Sequence, residues 1–344
     1  MARTPDAITD RILRWSGVAV FLLLWETAPR AGWVDPYFAP PFSAVLGAFG
    51  RLAAEGTLAS HLLISAWRGL SGLAVAVAVG VPAGFLLGRH SPRAGEALEP
   101  LLRLLSQVNP FTLLPLFLLF FGIGETAKIA VIGWVSLWPI LFYTVTGART
   151  VDPLLVKTAR SLGVNGGGLC RTVLLPGALP TLFTGVRIGA GLVFFMLVAA
   201  EMLGANAGVG WLVHNSAMNF QIPRLYAGAV AIVFLGYALN RGLLTLEQAL
   251  FAWREAPSEA VTGRAARHVL RPGKGGAALA AALLILLFVA GGWEVRRVNL
   301  AAVSGGHSHH GKHSLPTPER IEEEKQLEQD LNGWEPFTDG GKGK

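Results

Sequence analysis

The chain has 344 residues, of which 52% are hydrophobic and only 15% charged, with a mean hydropathy of +0.48 and a formal charge of +7. Ordinary soluble domains carry about 25% charged residues, so this composition argues against a soluble globular enzyme and against a disordered chain, and points to repeated apolar spans of about 20 residues each. The single cysteine, Cys170, excludes an intrachain disulfide framework and a multi-cysteine metal site. The basic surplus lies in residues 1–291, while 292–344 is mildly acidic. It needs no nucleic acid to explain it.

Seven apolar segments follow in chain order, near 15–28, 62–88, 101–121, 127–148, 181–200, 225–246 and 275–293. The first follows Arg3, Arg11 and Arg14 as a signal peptide would. No small-x-small cleavage site follows it, however, and Pro29 sits where cleavage would fall, so an uncleaved helix is expected. Residues 29–61 hold Pro36, Pro40 and Pro41, then an amphipathic run from Ser43, an N-cap type, to Leu52. This reads as a helix lying on the outer interface. Gly122–Thr126 is a short helix–helix turn. Lys and Arg cluster at 3–14, 89–93, 149–171 and 254–274, which places the N-terminus in the cytoplasm and, with seven spans, the C-terminus outside.

The connection 149–180 is neither a tight turn nor low in complexity. Asp152 suits an N-cap and Pro153 the first helical position. Leu154, Leu155, Thr158, Ala159 and Leu162 share one helical face, and Gly163 suits a left-handed C-terminal stop. A second short helix is expected up to Leu175, with Pro176 and Pro180 marking the return to the membrane. Two short helices projecting into the cytoplasm suit insertion into a groove on a soluble partner.

This loop resembles the signature of permease subunits of binding-protein-dependent ABC importers, Glu-Ala-Ala, three residues, Gly, nine residues, Ile-x-Leu-Pro. The aligned positions are Lys157, Thr158, Ala159, Gly163, Val173, Leu175 and Pro176. Ala159, Gly163, Leu175 and Pro176 match outright, Val173 is a mild change, Thr158 replaces Ala, and Lys157 reverses an acid to a base. Pro40–Val45, Leu114-Pro115-Leu116, Phe121–Gly124, Gly185-Val186-Arg187 and Ala200–Gly204 look like the nitrate, sulfonate and taurine subgroup. The resemblance covers roughly 10–254.

It implies an all-α, polytopic inner-membrane protein: a six-helix permease core over 1–254, then a basic linker 255–274, an extra transmembrane helix 275–293, and a polar tail 294–344 on the periplasmic side. It further implies a homodimer in the lipid bilayer. A cytoplasmic ABC ATPase dimer, which holds the ATP and Mg, docks on 149–180. A periplasmic solute-binding protein delivers a small, anionic solute. The chain itself is then no enzyme and carries no cofactor.

Arg68, Arg103 and Arg187 fall in or near spans, where an unpaired charge costs at least about 2.5 kcal/mol. Arg103 is near a cytoplasmic end and snorkels. Arg187 is expected to face the bundle interior, where a structural ion pair and an anionic substrate are the two readings. Glu201 ends the same span and reads as a solvated helix-end acid, with a gate residue as the alternative. Pro110 and Pro115, with Gln107 and Asn109, interrupt the third span, so Asn109, Pro110, Arg187 and Glu201 are the candidate translocation path. Gly80, Gly84 and Gly88, and Gly185 and Gly189, are spaced for close helix packing.

The tail places His307, His309, His310 and His313 within seven residues, a donor set for Zn or another divalent metal; a solvated low-complexity run is the other reading. A membrane-anchored metal-binding or sensory protein is therefore the alternative function, and a stand-alone carrier a third. Gly306–His313 nearly spells a phosphate loop, but His313 stands where a Mg-binding hydroxyl belongs and no strand precedes it.

Overall fold

The computed structural model describes residues 7–250 and 274–309, and these are helical with no strand among them. In chain order the helices are α1 (Ala7–Arg30), α2 (Phe42–Ala54), α3 (Thr57–Phe85), α4 (Pro92–Ser106), α5 (Pro110–Phe121), α6 (Glu125–Arg149), α7 (Pro153–Ser161), α8 (Gly166–Leu169), α9 (Leu175–Gly204), α10 (Val209–Met218), α11 (Ile222–Leu250) and α12 (Lys274–His309). Among the described residues, four helical segments are long and apolar enough to cross a membrane: Thr57–His90, Glu125–Arg149, Gly166–Gly204 and Ile222–Gln248. The linker 255–273 and the tail beyond His309 lie outside the described residues. α12 continues as one helix past the expected end of the seventh span at 293.

The central packing is α6 between α3 and α9. Small residues let the backbones meet. A Cβ at Gly84 would lie 2.5 Å from Cβ of Thr144 and 3.0 Å from the Leu141 carbonyl, and one at Gly80 would lie 3.0 Å from Ile140. On the other side of α6, a Cβ at Gly185 would lie 2.6 Å from Tyr143 and 2.9 Å from the Pro139 carbonyl, and one at Gly189 3.2 Å from the Ser136 carbonyl. The glycine spacing thus serves contacts within one protomer. Around it Val131, Ile132, Ile140, Val193, Met196 and Leu197 form the main apolar cluster.

Three expectations are corrected. The third span is not one helix: α4 and α5 are bent by 91° at residues 107–109. Asn109 is extended, its side-chain oxygen accepts from the Phe111 amide at 3.0 Å, and Pro110 occupies the first turn of α5. A residue before proline is pushed out of the helical region, so the chain breaks there rather than kinking. Second, Ser43 does not cap α2. It lies within the first turn, and its amide and hydroxyl bond to Glu26 of α1, each at 2.9 Å. α2 also does more than lie on the interface, because Val45, Ala48 and Leu52 are buried against Leu58, Leu212, Ala227 and Ala231.

Third, no separate second helix precedes the return at Pro176. Helix runs without interruption from Gly166 to Gly204, through a π turn at Cys170–Leu174. Proline removes one amide and crowds the preceding turn, and a wider π turn just before it relieves both. The expected helix is instead the inner extension of α9.

Gly185→Ala is expected to destabilise the protein by about 1–3 kcal/mol through overpacking. Gly191→Ala, with nothing within 4 Å of its added carbon, is expected to stay within about 0.5 kcal/mol of the parent. Thermal unfolding of the two variants in detergent measures the difference.

Candidate functional site

The connection 149–180 folds as a small unit with its own core. Asp152 accepts from the Leu154 amide at 2.8 Å, and Pro153 starts α7. Gly163 ends it at φ +84°, with the amides of Gly163 and Val164 returning to Arg160 and Ala159. Val151, Val156, Ala159, Leu169, Leu174 and Ala178 pack together beneath it. The apolar stripe expected on one face is split. Ala159 turns inward, whereas Leu154, Leu155 and Leu162 are 66, 56 and 77% exposed, and Lys157 and Thr158 are exposed beside them. Of the remaining motif residues, Val173 and Leu175 are half-buried and Pro176 is exposed.

At the opposite end of the bundle a buried charge network joins α3, α6, α9 and α10. Arg68 forms a two-pronged pair with Glu125, Nε to Oε2 at 2.6 Å and Nη2 to Oε1 at 2.7 Å. Its Nη1 donates to Glu201 Oε1 at 2.8 Å and to the Ala207 carbonyl at 2.5 Å. Lys128 adds a contact to Glu125 at 3.1 Å. Two cations thus balance two carboxylates, with Arg68 and Glu201 only 3 and 1% exposed.

Glu201 is therefore not a solvated helix-end acid. It does stand near the end of α9, but the chain after α9 folds back over it. The Ser65 hydroxyl lies 2.8 and 2.9 Å from its two oxygens, and the Gly210 amide donates to Oε2 at 2.8 Å. Ser65 also accepts from the Val209 amide at 2.8 Å, and His61 Nδ1 accepts from Gly208 at 3.1 Å. The carboxylate and its neighbours thus satisfy the free amides at the start of α10. A Cβ at Gly208, where φ is +124°, would fall on the carboxylate itself, and one at Gly210 would lie 2.8 Å from Glu201 Cβ. Sequence inspection missed Ser65, His61, Glu125, Lys128, Gly208 and Gly210. The available signal was ionisable residues inside apolar segments, followed by glycines two apart.

The remaining path candidates separate. Asn109 is exposed and Pro110 half-buried at the α4–α5 bend. Arg187 does not enter the closed core: its side chain is 43% exposed, and Nη1 lies 3.4 Å from Glu247 Oε2 of α11. It shares an exposed face of α9 with Ile188, Leu192 and Phe195, and Phe195 makes an edge contact with Phe111 of α5. Arg103 is exposed as expected, pairs with Glu99 at 2.7 Å, and sits over the Phe142 ring.

The sequence pattern of the family described as binding-protein-dependent transport system inner membrane component matches residues 80–251. The taurine transport system permease protein TauC of Escherichia coli K12 is 34% identical over 241 residues, 69% of this chain and 87% of that protein. The chain belongs to this family of ABC importer permeases. The putative aliphatic sulfonates transport permease protein SsuC of the same organism is 34% identical over 248 residues, 72% of this chain and 93% of that protein. A solved structure described as inward facing conformations of the MetNI methionine ABC transporter aligns with a TM-score of 0.48 at 19% identity, covering 56% of this chain and 94% of that one.

In this permease α12 falls beyond the matched residues. It packs on α3 all the same, where Glu294 accepts from Ser60 at 2.7 Å and Gly291 lies against Trp67. Of the tail histidines, His307 and His309 belong to the last turn of α12, while His310 and His313 lie outside the described residues. Among the described residues no three His, Cys, Asp or Glu side chains converge as a metal site.

Removing one partner from a buried ion pair leaves the other uncompensated. Arg68→Met is expected to lower stability by about 3–5 kcal/mol, and Glu201→Gln to cost less, because an amide keeps the bond from Gly210. Denaturation of the purified variants, followed by tryptophan fluorescence, ranks the two.

Proposed function

We propose that the chain is the membrane-spanning subunit of an ATP-driven importer for a small anionic solute of the taurine or sulfonate kind, working as a homodimer in the bacterial inner membrane. A periplasmic binding protein delivers the solute, and a separate cytoplasmic ABC ATPase dimer supplies ATP and Mg. The N-terminus lies in the cytoplasm and the C-terminus in the periplasm. The resemblance to taurine and sulfonate permeases supports the solute class.

The observation that carries the partner assignment is the α7 knob. Three large apolar side chains, Leu154, Leu155 and Leu162, stand exposed on a loop whose own core is already complete without them. Exposed apolar groups on a well-capped helix fit a groove in another protein. Lys157 and Thr158 rim this knob, Ala159 and Gly163 shape it, and Val173, Leu175 and Pro176 join it to α9. Closure of the ATPase dimer pushes α7, and the continuous helix from Gly166 carries the displacement into the membrane. The subunit thus shifts between two packings, favoured at one end by ATP and at the other by loaded binding protein. Asn109, Pro110 and Arg187 border the proposed path at the bent helix and the open face of α9, while Glu201 holds its outer end.

Leu154→Asp with Leu162→Asp alters only exposed positions. It is expected to leave the permease folded, abolish its co-purification with the ATPase, and lower uptake at least about tenfold, the factor expected when about 1.4 kcal/mol of docking energy is lost. Normal ATPase association and uptake would overturn the reading. For topology, alkaline phosphatase fused after Lys344 is expected to be active; activity of a cytoplasm-restricted reporter there would overturn the seven-span arrangement.

A further inference from the structure

Arg68 and Arg187 are both guanidinium groups inside membrane helices, but their surroundings are opposite. Arg68 is closed off and spends its donors on two carboxylates and a carbonyl. Arg187 is 43% exposed and makes one contact, at 3.4 Å, through a single nitrogen. Glu247 in turn is 25% exposed and has no other partner among the described residues. Nothing forces these two side chains into the two-pronged geometry that makes an arginine–carboxylate pair strong.

Their depth sharpens the contrast. Gly185 and Gly189 of α9 sit level with Pro139 and Ser136 of α6, so Arg187 lies within the span, while Glu247 stands one residue from the end of the apolar stretch Ile222–Gln248. A charge there cannot be left against lipid at tolerable cost. The open side of α9 that carries Arg187, Ile188, Leu192 and Phe195 therefore faces water or protein.

We propose that Glu247 is a tethered counter-anion of Arg187, and that a solute bearing a sulfonate or similar oxyanion displaces it during translocation. The inference rests on the importer reading given above. A planar guanidinium offers two parallel N–H groups to an oxyanion, and Arg187 has donors to spare. At rest, Glu247 keeps the charge of Arg187 balanced, so the empty path carries no naked cation. When the solute arrives, its oxygens take the guanidinium and Glu247 swings aside. Because Glu247 stays attached to α11, its high effective concentration restores the pair and releases the solute inward. A site of this kind binds anions briefly rather than tightly, as a conducting path requires.

The test uses the full complex, permease with its ATPase and binding protein, in proteoliposomes, with radiolabelled taurine and ethanesulfonate as probes. Arg187→Gln is expected to cut uptake about tenfold or more, from loss of hydrogen bonds to a charged group. Glu247→Gln is expected to lower the KM for transport about threefold and to lower the maximal rate with it, as competition for Arg187 is removed. The swap R187E with E247R restores a merely structural pair but is expected to leave uptake impaired. If Arg187→Gln does not fold, Arg187→Lys takes its place and is expected to raise KM.

Wild-type rates in Arg187→Gln, an unchanged KM in Glu247→Gln, or full rescue by the swap would each overturn the proposal while leaving the importer reading intact. Failure of the wild-type complex to transport either probe would instead remove the solute class on which the proposal depends.

Discussion

The buried pairing of Arg68 with Glu201 is the constraint on which the end of the bundle around α10 depends. A carboxylate almost wholly removed from water is tolerated only if each lone pair finds a donor and a cation stands close. Here the cation comes from α3, a second carboxylate from the start of α6, a hydroxyl from α3, and an amide from the start of α10. Those requirements fix where the helices end relative to one another. They also explain the glycines at 208 and 210: the backbone must touch the carboxylate, and a side chain would occupy its place. Charge satisfaction thus sets the loop conformation, which in turn sets the position of α10.

Against that fixed C-terminal end, the N-terminal end of α9 is built differently. It extends without interruption into the 149–180 connection, through a π turn just before Pro176. One helix therefore runs from the base of the exposed apolar knob past a half-exposed arginine to the buried Arg68–Glu201 pair. Small-residue contacts of α6 with both neighbours join α3, α6 and α9 into one closely packed body.

α12 lies beyond the residues that match the family pattern, but it is more than a loose addition. Glycine at 291 allows it to lie against the backbone of α3, and Glu294 bonds to Ser60, the residue before His61. His61 itself holds the Gly208 amide. The added helix therefore rests on the same stretch of α3 that supplies Ser65 and Arg68.

The sequence alone determined the membrane class, most helices, the caps at Asp152 and Gly163, and the close-packing role of the spaced glycines. Each of these depends on local hydropathy, backbone preference or residue size, which are properties of neighbours in the chain. Tertiary structure alone decided the partners of the charges. Glu201 lies next to Arg68 only because the end of α9 meets the first half of α3, and Arg187 finds Glu247 only because α9 packs against the last turns of α11. It also split the stripe on α7 into a buried Ala159 and exposed leucines, since periodicity shows that residues share a face but not what that face meets. The 91° break at Asn109 lies between the two cases: the proline was visible in the sequence, but the angle was set by how α5 packs against α6.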